Sequence, residues 1–546
     1  MTGQTKQAWQ TYGISAINYH RKFAHNSAVR IASTLAQDTS TTSPQTMKRF
    51  DLRAPIRKQL ERILEDYPGG QLLSEALQNA DDSEATSFSL LLDLRHHQGV
   101  DDSLAGPAFV LIDNGKGFGE REWRSIQNLN ASEKRNTPSE IGRFGMGSRS
   151  FFHYSDETTV VSRGSYVGVD PLETVGSHGR GGGGWRLDLE QDATADAAAA
   201  AVASEARALF ELPADLVNGF DWKERGAMFR LPLRRAQDVQ REREREEEPL
   251  GAAIPIERAA ALMREWAEMA PKLLLFLSSM TDVALWQWAD GAAHPECLAR
   301  VEKRYAPGSR PFSRLPPSLP DTAVASYRKL SEHLLGLGAA ERERLAELHV
   351  SVLELDVTGS AMSGSSPGEG STAWLVAQRF DVKAAPLVEA LRQGSEALPI
   401  VGVAVPMSER HVEGVPFCFL PIGNMKTGLP LHVHGAFAST PNRRMLWLPG
   451  PEVDGKHADM ARWNDALMRH AVPRLWVDVL KLLGPRRADL RGMLPSLLVA
   501  PPDRAVLCRL PDLDSVQPAW RPCAEELYTL LMKEDLLPHT SEPRHA

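Results

Sequence analysis

In Glu75-Ala-Leu-Gln-Asn79-Ala80-Asp81-Asp82 a carboxylate, a carboxamide and a second carboxylate recur at i, i+4 and i+7, which on a helix puts Glu75, Asn79 and Asp82 on one face. Such a face can do hydrolytic chemistry on a phosphate. The Asn79 carbonyl is a neutral, hard oxygen ligand of the kind Mg²⁺ accepts while keeping most of its waters. Glu75, one turn away, can take the proton of an attacking water. An ordinary polar helix face carries the same pattern, so this signature needs others beside it.

Two follow. Asp113-x-Gly115-x-Gly117 comes directly after the apolar run Phe109-Val110-Leu111-Ile112. An aspartate at a strand end is a pure acceptor, suited to the exocyclic amine of adenine, and glycines let the backbone approach a base. Asp-Asn-Gly is equally a common turn signal. Gly142-Arg143-Phe144-Gly145-Met146-Gly147 then opens a segment of helical pattern, Ser148 to His153, where successive backbone N–H groups can cradle a phosphate. Each signature alone is weak, and their order and spacing are what single them out. Lys134, just before the glycine loop, is either a phosphate contact or a surface lysine.

The elements that must hold these residues are legible. Ile56, Leu60, Ile63 and Leu64 have helical spacing that stops at Pro68-Gly69-Gly70, and a second helix buries Leu72, Leu73, Ala76, Leu77 and Ala80 beneath Glu75, Asn79 and Asp82. Strands are predicted at 109–112, 158–162 and 228–233. Gly179 to Gly184 and the Ala-rich run 193–203 read as insertions without chemistry, and Arg241 to Glu248 as a solvated helix or linker. Beyond it, an amphipathic stretch from Ile256, helices over 325–348, and strands at 350–357, 374–380 and 399–405 predict a second α/β domain, with a Gly/Ser-rich loop at 359–371. The expected organisation is a tail at 1–50, a nucleotide-binding domain at 51–236, a charged linker at 237–250, a middle domain at 251–484, and a Pro-rich, partly helical region at 485–546 that ends in a helix at 525–533. The fold class is α/β (α+β).

Composition narrows the function. At 546 residues, 42% apolar and 24% charged, the chain can build several cores. Its net charge of −8 supplies no basic field for nucleic acid. Cys297, Cys418, Cys508 and Cys523 have neither C-x-x-C nor Cys/His spacing, so neither a disulfide framework nor a zinc site is expected. No apolar run approaches the roughly 18–20 residues that cross a bilayer, so no membrane partner is expected, and a cytoplasmic location fits a reducing compartment. Residues 1–50 carry one acidic residue, Asp38, against several basic ones, which leaves a mitochondrial transit segment as the alternative.

The three signatures together resemble the Bergerat nucleotide-binding fold of the GHKL ATPases, a superfamily that holds the ninety-kilodalton heat-shock chaperones, type II topoisomerases, mismatch-repair ATPases and histidine kinases. A finer resemblance is to the repeated ATPase-like regions of the sacsin family. It is carried by the segments from Leu73 to Thr86, Trp123 to Asn128, Ile141 to Asp156, Gly226 to Arg234, Lys272 to Leu277 and Thr427 to Trp447. In the last, Asn442-Arg443-Arg444-Met445-Leu446 also resembles the middle-domain loop of the heat-shock chaperones, whose arginine reaches the terminal phosphate.

The resemblance implies a two-layer α/β sandwich binding ATP and Mg²⁺. Asn79 would hold the metal, Glu75 would be the general base, Asp113 with Gly115 and Gly117 would hold adenine, and Gly142 to Gly147 would form the lid. Asp82 would order the site, and Arg443, with Arg444 as the near alternative, would neutralise phosphate charge. One departure stands out: where the family usually has Gly-Thr, this chain has Gly226-Ala227, losing a hydroxyl whose hydrogen bond is worth on the order of 1 kcal/mol. Ser148 also replaces the phenylalanine common after the lid's last glycine. The expected activity is a weak, Mg-dependent ATPase acting as a chaperone or co-chaperone, with client proteins or other chaperones as partners and a nucleotide-dependent homodimer. The alternatives are a nucleotide-binding interaction module with negligible turnover and, behind it, a DNA-directed ATPase.

Overall fold

The segment that ends in Asp113 lies well inside a long sheet, with strands from the first half of the chain on one side and, past one further strand, strands from the second half on the other. The computed structural model describes residues 56–66, 71–127, 147–172, 183–189, 197–244, 248–316, 318–360, 371–440, 442–451, 453–490, 492–493 and 501–534. The tail 1–50, Lys134 and the loop residues Gly142, Arg143, Phe144, Gly145 and Met146 lie outside these residues. Among the described residues the fold is α/β, as the alternation of patterns predicts.

Helix α1 (Ile56–Asp66) precedes α2 (Leu72–Asp82). Leu72, Leu73, Ala76, Leu77 and Ala80 of α2 are buried, as their spacing predicts, but so are Glu75, Gln78 and Asp81. The strands are β1 (Ser87–Asp93), β2 (Ala108–Asp113), β3 (Thr158–Ser162), β4 (Ser165–Val169), β5 (Gly184–Asp188), β6 (Ala227–Pro232), β7 (Asp282–Trp288), β8 (Glu296–Tyr305), β9 (His349–Thr358), β10 (Ser371–Phe380), β11 (Ile400–Pro406), β12 (Pro416–Cys418), β13 (Leu420–Pro421) and β14 (His432–Gly435). They form one 14-stranded sheet in the order β13-β12-β14-β11-β10-β9-β8-β7-β1-β2-β6-β3-β4-β5. The sheet passes through the expected linker region without a break, because β1 and β7 pair in parallel with Leu90 opposite Leu285. Strands from both sides of residues 237–250 thus share one sheet.

Alternation along the central strands covers both faces. Leu90, Leu92, Phe109, Leu111 and Leu231 face the core that α2 shares with a helix at Ile256–Leu273, whose Trp266 ring lies 5.3 Å from that of Phe109. Leu91, Val110, Ile112 and Met228 face the other way, toward Leu216 and Trp288. Each buried side chain of this size contributes roughly 1.5–3 kcal/mol. The Ala-rich run becomes helix α3 (Ala197–Phe210), not a featureless insertion. Its Ala199, Val202, Ala203 and Ala206 pack on Val161, Tyr166 and Leu187, since small side chains let a helix lie close to a sheet.

The described residues of the charged run are exposed apart from one, as a solvated helix requires. Residues 241–244 lie in α4 (Ala236–Glu244), where Glu242 is buried and paired with Arg57 at 2.7 Å. With α5 assigned to Ile256–Leu273, the C-terminal part adds α6 (Val472–Leu483) and α7 (Arg521–Lys533). Cys523, Ala524, Leu527 and Leu531 of α7 are buried, so this end closes the core instead of trailing from it. All four cysteines are free thiols.

Candidate functional site

Helix α2 carries the acidic-amide signature and touches distant parts of the chain at both ends. Near its start, Gln71 Nε2 donates to the Asn442 carbonyl at 2.9 Å, and Arg443 Nε lies 4.0 Å from Glu75 Oε1. Glu75 is only 6% exposed. Arg443 sits in the left-handed backbone region with φ 52°, in a turn closed by its own N–H to the Thr440 carbonyl at 2.8 Å. A residue other than glycine in that region is uncommon and tends to occur where a site dictates the backbone. The neighbouring Arg444 is exposed, so of the two arginines it is Arg443 that the fold sets beside α2.

Asn79, half-buried, lies one turn from Glu75, and its carboxamide has no partner among the described residues. Asp82 has a different environment. Arg314 bridges it and Asp81 through two guanidinium nitrogens. Asp81 also accepts from the backbone N–H groups of Ser278, Ser279 and Met280 at 3.1, 2.7 and 3.0 Å. Lys303 is buried nearby, donating to the Leu274 and Leu277 carbonyls at 3.1 and 2.8 Å; burial pushes its ammonium down to about 8 while the Asp81 charge pulls the other way. The last turn of α2 is therefore clamped to segments from the later half of the chain. Sequence alone does not single out Asp81 or Arg314, because Asp81 looks like one more helix-end acid and Arg314 has no local pattern.

Past the end of α2, the second signature closes the other side. Asp113 ends β2 and accepts from Gly115 N–H at 2.8 Å. Its side chain keeps some exposure, yet burial of its surroundings pushes the carboxyl up to about 6, against hydrogen bonds from the backbone of Gly115 and Ala227 and from the Ser83 hydroxyl. Gly115 has to lack a side chain because a Cβ there would collide with Ser83; Gly117, at φ 70°, would meet the Gly226 carbonyl and Ser162. Asn114, between Asp113 and Gly115, is structural: its Oδ1 accepts from Thr86 and Ser87 N–H at 2.9 and 3.0 Å and pins the turn to the start of β1. Ala227 pairs with Asp113 across β2 and β6, so the absent hydroxyl would have stood beside that carboxyl.

Of the glycine loop, only Gly147 is described. It opens a 3₁₀ helix, Gly147–His153, where the pattern predicts a helical segment, and Phe151 and Phe152 are buried. Two histidines of the downstream segment, His432 and His434, are wholly buried on β14, and burial pushes both down to about 3. Their Nδ1 atoms accept from Val415 and Phe419 N–H at 3.2 and 3.1 Å, and their rings stack on Trp374 and Phe276. They are neutral packing residues. No group of three or more His, Cys, Asp or Glu able to hold a metal by itself occurs among the described residues. No helix among them is long and apolar enough to cross a membrane.

Residues 53–300 match the family model described as the sacsin domain. That span includes Glu75, Asn79, Asp113 and the glycine loop, but not Arg443. The chain is also 27% identical to human sacsin over 520 residues, an alignment that covers 88% of this chain and 10% of that relative. The chain thus spans about a tenth of the length of the curated relative it matches. Across most of its length, the chain is similar in sequence to one stretch of human sacsin.

Proposed function

We propose that this chain is a GHKL-type nucleotide-binding protein that holds Mg-ATP, hydrolyses it slowly, and serves as a chaperone or co-chaperone of the sacsin type. The observation that carries this reading is that one helix, α2, brings Glu75 to Arg443 near one end and Ser83 to the Asp113 turn just past the other. Residues 75 and 83 are about 12 Å apart along a helix axis, a span comparable to that between the base and the terminal phosphate of an extended nucleoside triphosphate.

In this arrangement Asp113 accepts from the adenine amine, and the Asn79 carboxamide offers an oxygen to Mg²⁺. The metal supplies charge neutralisation on the phosphates. Glu75 takes a proton from water, and Arg443 meets negative charge on the transferred phosphoryl group. The contact between Arg443 and Glu75 gives nucleotide a means of acting on the later half of the chain, by exchanging a carboxylate partner for a phosphate. Client proteins or other chaperones, and a nucleotide-dependent homodimer, are the proposed partners.

A second reading, a nucleotide-binding interaction module with negligible turnover, is favoured by the missing hydroxyl at Ala227. Steady-state ATP hydrolysis and equilibrium binding with Mg²⁺ separate the two. For an ATPase, Glu75→Ala loses turnover and keeps binding, while Asn79→Ala loses binding. Native protein that binds ATP without turning it over supports the module, and native protein that does not bind ATP ends both readings.

A further inference from the structure

The Asp113 pocket lacks a hydroxyl at Ala227, but the chain places another one there. Ser83 follows α2 directly, and its backbone N–H bonds to the Asn79 and Ala80 carbonyls at 3.0 and 3.1 Å, so the residue is fixed by the helix end. Its carbonyl accepts from Lys116 N–H at 2.9 Å, which ties it to the turn that follows Asp113. Its Oγ lies so close to Gly115 that any side chain at 115 would strike it. Gly115 N–H in turn bonds the Asp113 carboxylate, so the hydroxyl that crowds Gly115 stands on the Asp113 side of the turn. Ser83 is half-buried, and its hydroxyl donates to the Ala80 carbonyl at 2.8 Å. That oxygen carries one rotatable hydrogen, which can turn from the Ala80 carbonyl to a ligand, and two lone pairs.

We infer that Ser83 is a specificity-determining residue of this site, its hydroxyl reading the purine ring nitrogen beside the amine that Asp113 accepts. The inference rests on the adenine-binding reading of Asp113. An acceptor and a donor side by side match the adenine edge, where an amine N–H adjoins the bare ring nitrogen N1. Guanine presents the opposite pair, a carbonyl and an N–H; the Asp113 carboxylate disfavours the carbonyl, while the hydroxyl can turn to accept from the N–H, so rejection of guanine falls to Asp113. The contact is made directly or through one water, and a single net hydrogen bond of this kind gives about a fivefold preference.

The test uses the full chain with two probes, ATP and 1-deaza-ATP, in which a C–H replaces N1. Equilibrium binding is measured for the native protein, for Ser83→Ala, and for the double variant Ser83→Ala/Ala227→Thr, with thermal melts to verify that all are folded. Expected are a native preference for ATP of about fivefold, a ratio near one in Ser83→Ala, and its recovery in the double variant, where the threonine restores a hydroxyl beside Asp113. A purely structural Ser83 would weaken both probes alike and leave the ratio unchanged. Ser83→Ala that keeps the native ratio, or a native protein that binds both probes equally, overturns the role of Ser83 and leaves the ATP-binding reading standing. A native protein that binds neither probe overturns both.

Discussion

Arg443 Nε lies 4.0 Å from Glu75 Oε1, with both side chains largely buried, although the two residues come from opposite parts of the chain. The base proposed for hydrolysis and the arginine proposed for charge neutralisation therefore already face one another.

If Arg443 meets charge that develops only during phosphoryl transfer, removing it should affect turnover far more than binding. Arg443→Ala is expected to lower the hydrolysis rate by on the order of a hundredfold or more, with the ATP dissociation constant changed only a few-fold. Arg444→Ala, on an exposed residue, should leave both near native. Steady-state hydrolysis and equilibrium binding on the two variants check this; equal losses in both would put the arginine elsewhere.

Asp113 makes the site sensitive to pH. Its carboxyl is raised from 3.8 to about 6 by burial, so the folded protein binds this proton more tightly than the unfolded chain does. The stability linked to it is fully present below 3.8 and is lost as pH rises through about 6. Asp113→Asn should then stabilise the protein at pH 7, by up to about 3 kcal/mol, and by much less near pH 4. ATP binding should move in the opposite sense, since only the carboxylate is a pure acceptor. Affinity is expected to fall as pH drops below 6 and to show no such fall in Asp113→Asn. Urea unfolding and ATP titrations at pH 4.5, 6 and 7.5 read both effects.

Arg314 satisfies two carboxylates at the end of α2. Replacing it by methionine leaves Asp81 and Asp82 without their guanidinium partner in a buried setting, a change expected to destabilise by about 3–5 kcal/mol. Because Asp81 retains three backbone donors, the additional change Asp82→Asn should recover part of the loss. Denaturant midpoints of the single and double variants measure it.

Gly226 has φ 88°, and a Cβ on it would strike the Asp113 carbonyl and the Phe220 ring. Gly226→Ala should cost about 2 kcal/mol or more of stability and, by displacing Asp113, weaken ATP binding. Ala227→Thr, one residue on, should cost much less, and the contrast between the two in thermal melts checks that the effect belongs to the backbone of Gly226.

What is legible in the sequence is local. Helical period identifies the buried face of α2, apolar runs bounded by turns identify β2, β6, β9, β10 and β11, and two of the three spaced signatures single out Glu75, Asn79 and Asp113 as site candidates. These rest on short-range rules, where one residue's neighbours along the chain decide its environment. Asp81, Arg314 and Ser83 are not separable there from ordinary polar residues, because their partners lie far away in the chain and leave no periodic trace. The Ala-rich run reads as an insertion, since its apolar face has meaning only once Tyr166 and Leu187 lie under it. Three-dimensional packing alone sets the parallel pairing of β1 with β7, the passage of one sheet across the charged segment, and the meeting of Glu75 with Arg443 and not Arg444. Parallel pairing between remote strands and a single arginine in a left-handed turn depend on contacts across the whole chain, which no local pattern encodes.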